Sequence, residues 1–206
     1  MTNHDQTTPS AADPTAPQAV HAVFREIHLR FTVRGLEEIR SDQAYIRVSR
    51  EDTVPLLTYL RDMGGYSHLS FFTAVDQIEA GEFELLYMLH NYNLTHDLGV
   101  IVRIPRVDGD DTDKVGCRID SIHHLWPAAE TYQRELREMF GIDFPGSPRL
   151  HDDFALEGWE DIPPMRREFD TREYSERVYY ARPGRETHDT RTHMKEKLYP
   201  SEAETW

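Results

Sequence analysis

Histidine and aspartate side chains are the residues of this sequence that could bind a metal ion. They flank one predicted helix: His123 and His124 precede it, and His151, Asp152 and Asp153 follow it. The first two fall in a predicted strand, where neighbouring side chains point to opposite faces, so at most one of them can join His151 in a site. A metal-dependent enzyme built on His124, His151 and Asp153 is therefore kept only as an alternative.

Other catalytic and cofactor-binding patterns are missing from the sequence. It contains neither a GxGxxG nor a GxxxxGK pattern for phosphate binding, and no GxSxG motif for a serine nucleophile. The single cysteine, Cys117, falls within a predicted strand, not at a helix N-terminus that would stabilise a thiolate. One cysteine also cannot form an internal disulfide or ligate an iron–sulfur cluster alone. We therefore predict no catalytic residue and no cofactor in this chain.

The composition indicates an acidic globular domain with polar ends. The 206 residues include 37 acidic and 23 basic ones, and the formal net charge of -14 disfavours contact with nucleic acid or anionic lipid. Aromatic residues make up 11%, more than is usual in a disordered chain. No secretory signal pattern and no run of about 20 apolar residues occurs. A reducing cytoplasm fits this composition, and any contact with a membrane is expected only through partners.

The patterning along the chain predicts an α+β domain with flexible ends: N-terminal helices, a mostly antiparallel sheet, a further helix and an extended C-terminal arm. Residues 1–18 are polar and are expected to form a disordered tail, and residues 19–150 form the domain. Residues 151–206 are rich in proline, arginine and aromatic residues but lack a lasting apolar period. Because arginine and aromatic residues anchor interfaces, we expect this arm to dock on neighbouring proteins.

Individual elements follow from the apolar period and from capping residues. Ser49 is placed to cap a helix, with acidic residues in its first turn and two glycines at its end. Short polar connections between three strands favour an antiparallel meander. In chain order we predict a helix beginning near Val20, a strand over 43–49, a helix over 51–62, strands starting at Tyr66, Phe83 and Gly99, a strand over 117–126 and a helix over 128–140.

The helix over 128–140 combines an apolar side with charged neighbours. Arg134 and Glu138 lie one turn apart on one face, and the apolar side carries Tyr132, Leu136, Met139 and Phe140. On an exposed helix such charges contribute only a few tenths of a kcal/mol each. Gly141 and the prolines that follow it fix the exit of the chain, however. This arrangement favours docking of the helix and the arm on a partner.

Four stretches of the sequence resemble the 30 kDa subunit family of respiratory complex I, whose bacterial member is the C subunit of the NADH-quinone oxidoreductase. The stretch YQRELREMFGIDFPGSPRL (132–150) resembles the family signature, and SIHHLWPAAETYQRE (121–135) resembles the approach to it. LSFFTAVD with FELLYMLHN (69–91) resembles the paired strands of the family. PPMRREFD (163–170) resembles its closing element. Gln133 stands where the family signature has an acid, and Ser147 stands where it has a histidine.

The resemblance implies a cofactor-free structural subunit of the peripheral arm. Such a subunit would dock on the hydrogenase-like large subunit of the quinone site, near the small subunit with the terminal iron–sulfur cluster and a cluster-bearing ferredoxin-like subunit. The electron donor would be NADH, ferredoxin or F420, and the complex would translocate protons or sodium ions. The alternative host is an energy-converting membrane-bound [NiFe] hydrogenase. The residues expected at the subunit interface are Arg134, Glu135, Glu138, Met139, Phe140, Gly141, Pro164, Arg166, Arg167 and Phe169.

Overall fold

The computed structural model describes residues 16–106 and 117–179. The chain divides into two compact units between Arg167 and Glu168. The described part of the second unit contains the helix Thr171–Tyr179 (α4), whose N-terminus is capped by Asp170. Of the predicted N-terminal tail, residues 1–15 lie outside the described residues and residues 16–18 belong to a helix. The end of the predicted arm, residues 180–206, also lies outside them.

The first unit contains helices packed on a sheet of five strands. Its order is β1-β2-β5-β4-β3, with β2 and β5 parallel and all other neighbours antiparallel. The elements are α1 (Ala16–Arg30), β1 (Val33–Arg40), β2 (Gln43–Val48), α2 (Arg50–Asp62), β3 (His68–Gln77), a short 3₁₀ helix (Ile78–Ala80), β4 (Glu82–Asn91), β5 (His96–Pro105) and α3 (Ala129–Phe140).

One face of the sheet forms the hydrophobic core. Along β2, β4 and β5 every second side chain is buried on this face, as the period of a strand requires. Helix α2 contributes Leu56, Leu57 and Leu60 to the core, and α3 contributes Leu136 and Phe140. Helix α3 packs on the edge strand β3. The core therefore fixes α3 against one edge of the sheet.

The observed elements confirm the predicted α+β class and most of the predicted segments. Ser49 caps α2 and its side chain accepts a hydrogen bond from the backbone N–H of Asp52. The meander of β3, β4 and β5 is antiparallel, as predicted. Helix α3 spans Ala129–Phe140 and is capped by Gly141, which has a left-handed backbone with φ of 74°.

Two predictions about the sheet were wrong or incomplete. The predicted strand over 117–126 does not form, and only Arg118 makes an isolated bridge, to Asp143. The side chain of Ser121 accepts a hydrogen bond from the backbone N–H of His123, which turns the chain away from an extended course. Conversely, strand β1 was not predicted, because it is an edge strand whose residues are mostly exposed and show no clear alternation. The predicted polar loop over 107–116 lies outside the described residues.

Candidate functional site

Helix α3 holds the residues that follow it through two charged side chains. We use the name return segment for residues 151–167, which run back along this helix. The carboxylate of Glu138 accepts backbone N–H bonds from Phe154, Ala155 and Leu156 at 2.7, 2.8 and 2.9 Å. Arg134 donates to the backbone oxygen of Asp153 at 2.6 Å, and its guanidinium lies 5.7 Å from the centre of the Phe154 ring. These two charges therefore shape the return segment within the chain.

The C-terminal end of α3 is joined to the same segment by backbone contacts. The oxygen of Met139 accepts the backbone N–H of Met165 at 3.0 Å, and the oxygen of Phe140 accepts Nε of Arg166 at 2.7 Å. Both carbonyls belong to the last turn of the helix, where intrahelical donors are lacking. Gly141 has a positive φ of 74°, which favours glycine, and a Cβ at this position would lie 3.0 Å from the Arg166 guanidinium. The return segment thus caps this helix.

A buried ion pair lies beneath the end of the return segment. Asp76 lies near the end of β3 and Arg106 follows β5; their side chains are each 2% exposed, and Oδ1 of Asp76 lies 3.1 Å from Nε of Arg106. The other carboxylate oxygen of Asp76 accepts the backbone N–H of Arg167 at 2.9 Å. The Phe83 ring lies 5.4 Å from the guanidinium of Arg106 and 5.4 Å from that of Arg166. This network fixes the sheet, α3 and the return segment together.

The return segment carries three exposed apolar side chains. Phe154 is 38% exposed, Ile162 is 43% exposed and Met165 is 56% exposed. The backbone N–H of Phe154 bonds to Glu138 and that of Met165 to the oxygen of Met139, and the turn at Pro163 is closed by the N–H of Arg166. An apolar surface on a fixed backbone is typical of a protein interaction site. We refer to these three residues as the apolar patch.

The ten predicted interface residues occupy different environments. Glu135 is exposed on α3, Phe140 is buried in the core, and Met139, Gly141 and Pro164 are partly buried. The guanidinium of exposed Arg167 bonds to the carboxylate of Glu79 at 2.6 Å, and this contact raises the pKa of Arg167 and lowers that of Glu79. Phe169 lies in the second unit, where its ring is 5.5 Å from that of Tyr174. Their role at a subunit interface stays a prediction.

The predicted metal ligands do not meet in one place. His123 and His124 lie in a turn before α3, while His151, Asp152 and Asp153 lie in the return segment. Within residues 16–106 and 117–179, no three or more His, Cys, Asp or Glu residues are grouped so that they could hold a metal ion. The backbone oxygen of Asp153 instead accepts the hydrogen bond from Arg134.

The buried ion pair that holds the end of the return segment was not predicted from the sequence. Asp76 and Arg106 are far apart in the sequence, with strands β4 and β5 between them. The pairing of β3, β4 and β5 brings their side chains together. Gln133 was expected on a charged face of α3, but it is fully buried, and its Oε1 accepts a hydrogen bond from Ser121 at 2.9 Å. Gln133 lies four residues after Ala129 and seven before Phe140, so the helical period places all three on the same face. This spacing was the signal in the sequence that Gln133 would be buried.

A solved structure shares this fold. A chain of the membrane-bound sulfane sulfur reductase, described as an archaeal respiratory membrane complex, matches with a TM-score of 0.64 and 25% sequence identity. The match covers 84% of this chain and 97% of the other. The fold therefore defines the class: an α+β domain of a kind found in subunits of respiratory membrane complexes. In the part of the chain that the structure describes, no helix is long and apolar enough to cross a membrane.

The family is shown by the sequence itself. The family model of the 30 Kd subunit of the respiratory-chain NADH dehydrogenase matches residues 46–175. The chain belongs to this family, and the resemblance seen in the sequence is confirmed.

Relatives at about one third identity carry matching names. The C/D subunit of the NADH-quinone oxidoreductase of Psychrobacter sp. (strain PRwf-1) is 30% identical over 84% of this chain, and the alignment covers 29% of that relative. The C subunit of the same enzyme from Hyphomonas neptunium is 32% identical over 64% of this chain and 62% of its own length. The C subunit from Citrifermentans bemidjiense is 30% identical over 60% of this chain and 72% of its own length. The chain thus spans less than two thirds of the first two relatives.

Proposed function

We propose that this chain is a cofactor-free structural subunit in the peripheral arm of a complex I-type oxidoreductase. The complex would transfer electrons from NADH, ferredoxin or F420 to a quinone and translocate protons or sodium ions. The observation that carries this proposal is the family match over residues 46–175, which includes α3 and the whole return segment. Electrons would pass through cluster-bearing and flavin-bearing partners, and this chain would hold those partners in position.

The proposed main partner is the large subunit of the quinone site. Two relatives, from Psychrobacter and Aquifex aeolicus, are named as C/D subunits, so one polypeptide carries both subunit names. A covalent join keeps two domains at equal stoichiometry and at high effective concentration, which supports direct contact between the corresponding separate chains. The small subunit with the terminal iron–sulfur cluster and a ferredoxin-like subunit are proposed as further neighbours, on the cytoplasmic side of the membrane.

The return segment is the proposed docking surface. Its apolar patch, Phe154, Ile162 and Met165, is exposed, whereas the backbone beneath it is held by α3 and by Asp76. A surface that is ordered before binding loses less conformational entropy on association than a mobile loop would. Under this proposal Arg134, Glu138 and Arg166 act on the partner indirectly, because they position the segment that makes the contact.

Affinity purification from native membranes tests the proposal. The chain is tagged, extracted in mild detergent and recovered with its partners, which are identified by mass spectrometry. Co-purification of a quinone-site large subunit together with a nucleotide-binding flavoprotein is the expected result. Recovery of the chain alone, at a detergent concentration that keeps other respiratory complexes intact, would refute it.

An energy-converting hydrogenase is the second candidate host. The solved structure that shares this fold belongs to a respiratory membrane complex named for sulfane sulfur reduction, not for NADH oxidation. Subunits of this fold therefore serve complexes with different electron carriers. In the same purification, a partner with nickel-binding cysteines and no flavoprotein would assign the chain to a hydrogenase.

A further inference from the structure

Among the charged residues in the second half of α3, Arg137 and the exposed Glu135 have no bonding partner for their side chains in the described part of the protein. Arg137 is half-buried, and its Nε is shielded from solvent without a hydrogen-bond partner among the described residues. Arg134 and Glu138, by contrast, bond to the backbone of the return segment. A shielded donor without an acceptor costs free energy, so the Nε of Arg137 is not explained by a contact within the described part of the chain.

The helix itself cannot supply an anion to this side chain. Side chains three or four residues apart are neighbours on a helix, and those positions around Arg137 hold Gln133, Arg134, Phe140 and Gly141. None is acidic, and Arg134 carries the same charge. Seven residues earlier on this side of α3, Glu130 is already ion-paired with Arg149.

We propose that Arg137 is a docking residue whose guanidinium pairs with a carboxylate side chain of the subunit on which this chain assembles. The inference rests on the proposed function, because it names the partner chemistry of the same helix. The terminal nitrogens of Arg137 are not among the buried atoms that lack a partner, so they are the part of the side chain that another molecule can reach. A guanidinium presents parallel donors that match the two oxygens of a carboxylate, and this favours an acidic side chain as its partner.

The charged contact with the partner thus falls on a different residue from those the sequence suggested. Arg134 and Glu138 were expected to form ion pairs with a partner, but their polar atoms are used within the chain. Arg137 lies close to both on the same helix and is not used in this way. It therefore offers a positive charge for a contact with the partner, on a chain whose net charge is -14.

The test compares two replacements of Arg137 with a control. Arg137→Met keeps the length of the side chain but removes its charge, and Arg137→Glu reverses the charge. The control is Arg40→Glu at the exposed end of β1, where Arg40 is ion-paired with Asp42 at 3.2 Å. Each tagged full-length variant is purified from native membranes, and the partner subunits recovered per tagged chain are quantified by mass spectrometry. The melting temperature of each isolated full chain is measured in parallel.

Loss of assembly without loss of stability is the expected result. Both Arg137 variants should lower partner recovery by about tenfold or more, because the partner carboxylate is left without its cation, while Arg40→Glu should match the wild type. The isolated Arg137→Met chain should melt no lower than the wild type, since the change removes a buried donor that had no acceptor.

Other outcomes would overturn the inference in distinguishable ways. Unchanged partner recovery with Arg137→Glu would refute the inference and leave the proposed function standing. A lower melting temperature of the isolated Arg137→Met chain would show that the residue stabilises this chain itself. If the wild-type chain alone forms a dimer that Arg137→Glu abolishes, the contact is with a second copy. If the wild type recovers no partner at all, the proposed function fails and the inference fails with it.

Discussion

The buried ion pair between Asp76 and Arg106 provides a direct test of what holds the return segment. Replacing Asp76 with Asn removes the negative charge and leaves the guanidinium of Arg106 in a site where both side chains are 2% exposed. The change also replaces the carboxylate oxygen that accepts the backbone N–H of Arg167. Removing one partner of a buried pair typically costs about 3–5 kcal/mol, because the remaining charge stays buried and has lost that counter-ion.

The free energy of unfolding of the full chain should therefore fall by about 3–5 kcal/mol for Asp76→Asn, measured by urea titration with tryptophan fluorescence. The matched control is Glu79→Gln, because Glu79 bonds to the side chain of Arg167 at the surface. Both side chains of that contact are exposed to solvent, so the control should unfold like the wild type. Limited trypsin digestion should cleave after Arg166 and Arg167 faster in Asp76→Asn than in the control.

A double-mutant cycle separates the ion pair from other effects of the change. If the pair is the cause, Arg106→Met should cost less in the Asp76→Asn background than in the wild type, since the ion pair is already broken there. If the two changes add without coupling, the ion pair is not what holds the segment. Equal stability of Asp76→Asn and Glu79→Gln would refute the reasoning altogether.

Three further predictions concern other parts of the fold. Burial lowers the pKa of His96, whose Nδ1 is 2.9 Å from the Tyr66 hydroxyl, so the folded state resists protonation. Stability should therefore fall as pH decreases through about 6.5, where the unfolded chain gains a proton, and His96→Gln should reduce this loss in urea titrations at about pH 7.5 and about pH 5.5. Gln133→Glu should destabilise the chain more as pH rises, because it buries a carboxylate; comparing melting temperatures at the same two pH values checks this. Gly99→Ala should cost about 1–3 kcal/mol, because its Cβ would lie 2.3 Å from the Tyr45 ring, and the cost should shrink in a Tyr45→Ala background.

Local rules were sufficient for the elements whose residues bury a regular face. Helix α2 has a capping serine, acidic residues in its first turn and buried leucines, and its predicted range of 51–62 agrees with Arg50–Asp62. Strands β3, β4 and β5 are joined by short polar connections, from which their antiparallel meander could be predicted. In each case the local pattern and the tertiary contacts favour the same structure.

The same rules failed where a side chain competes with the backbone or where the contact is distant. Residues 117–126 have the apolar content of a strand. Ser121, however, bonds to Gln133 and to the backbone N–H of His123, and the chain turns instead of pairing as a strand. The contact of Asp76 with Arg167 joins residues 91 positions apart. No local pattern encodes such a contact, so the sequence indicated the elements of the candidate site but not the network that connects them.

The division of roles along α3 follows from which atoms each side chain can reach within the chain. Arg134 and Glu138 lie on the face turned toward the return segment, and they bond there to backbone atoms. Arg137 lies between that face and the buried stripe and finds no such partner among the described residues. A helix with this pattern both shapes the neighbouring surface and contributes a charge of its own to it. Under the proposed function, Arg134 and Glu138 support the surface and the partner meets the apolar patch and Arg137, while a direct contact of Arg134 and Glu138 with the partner stays a prediction.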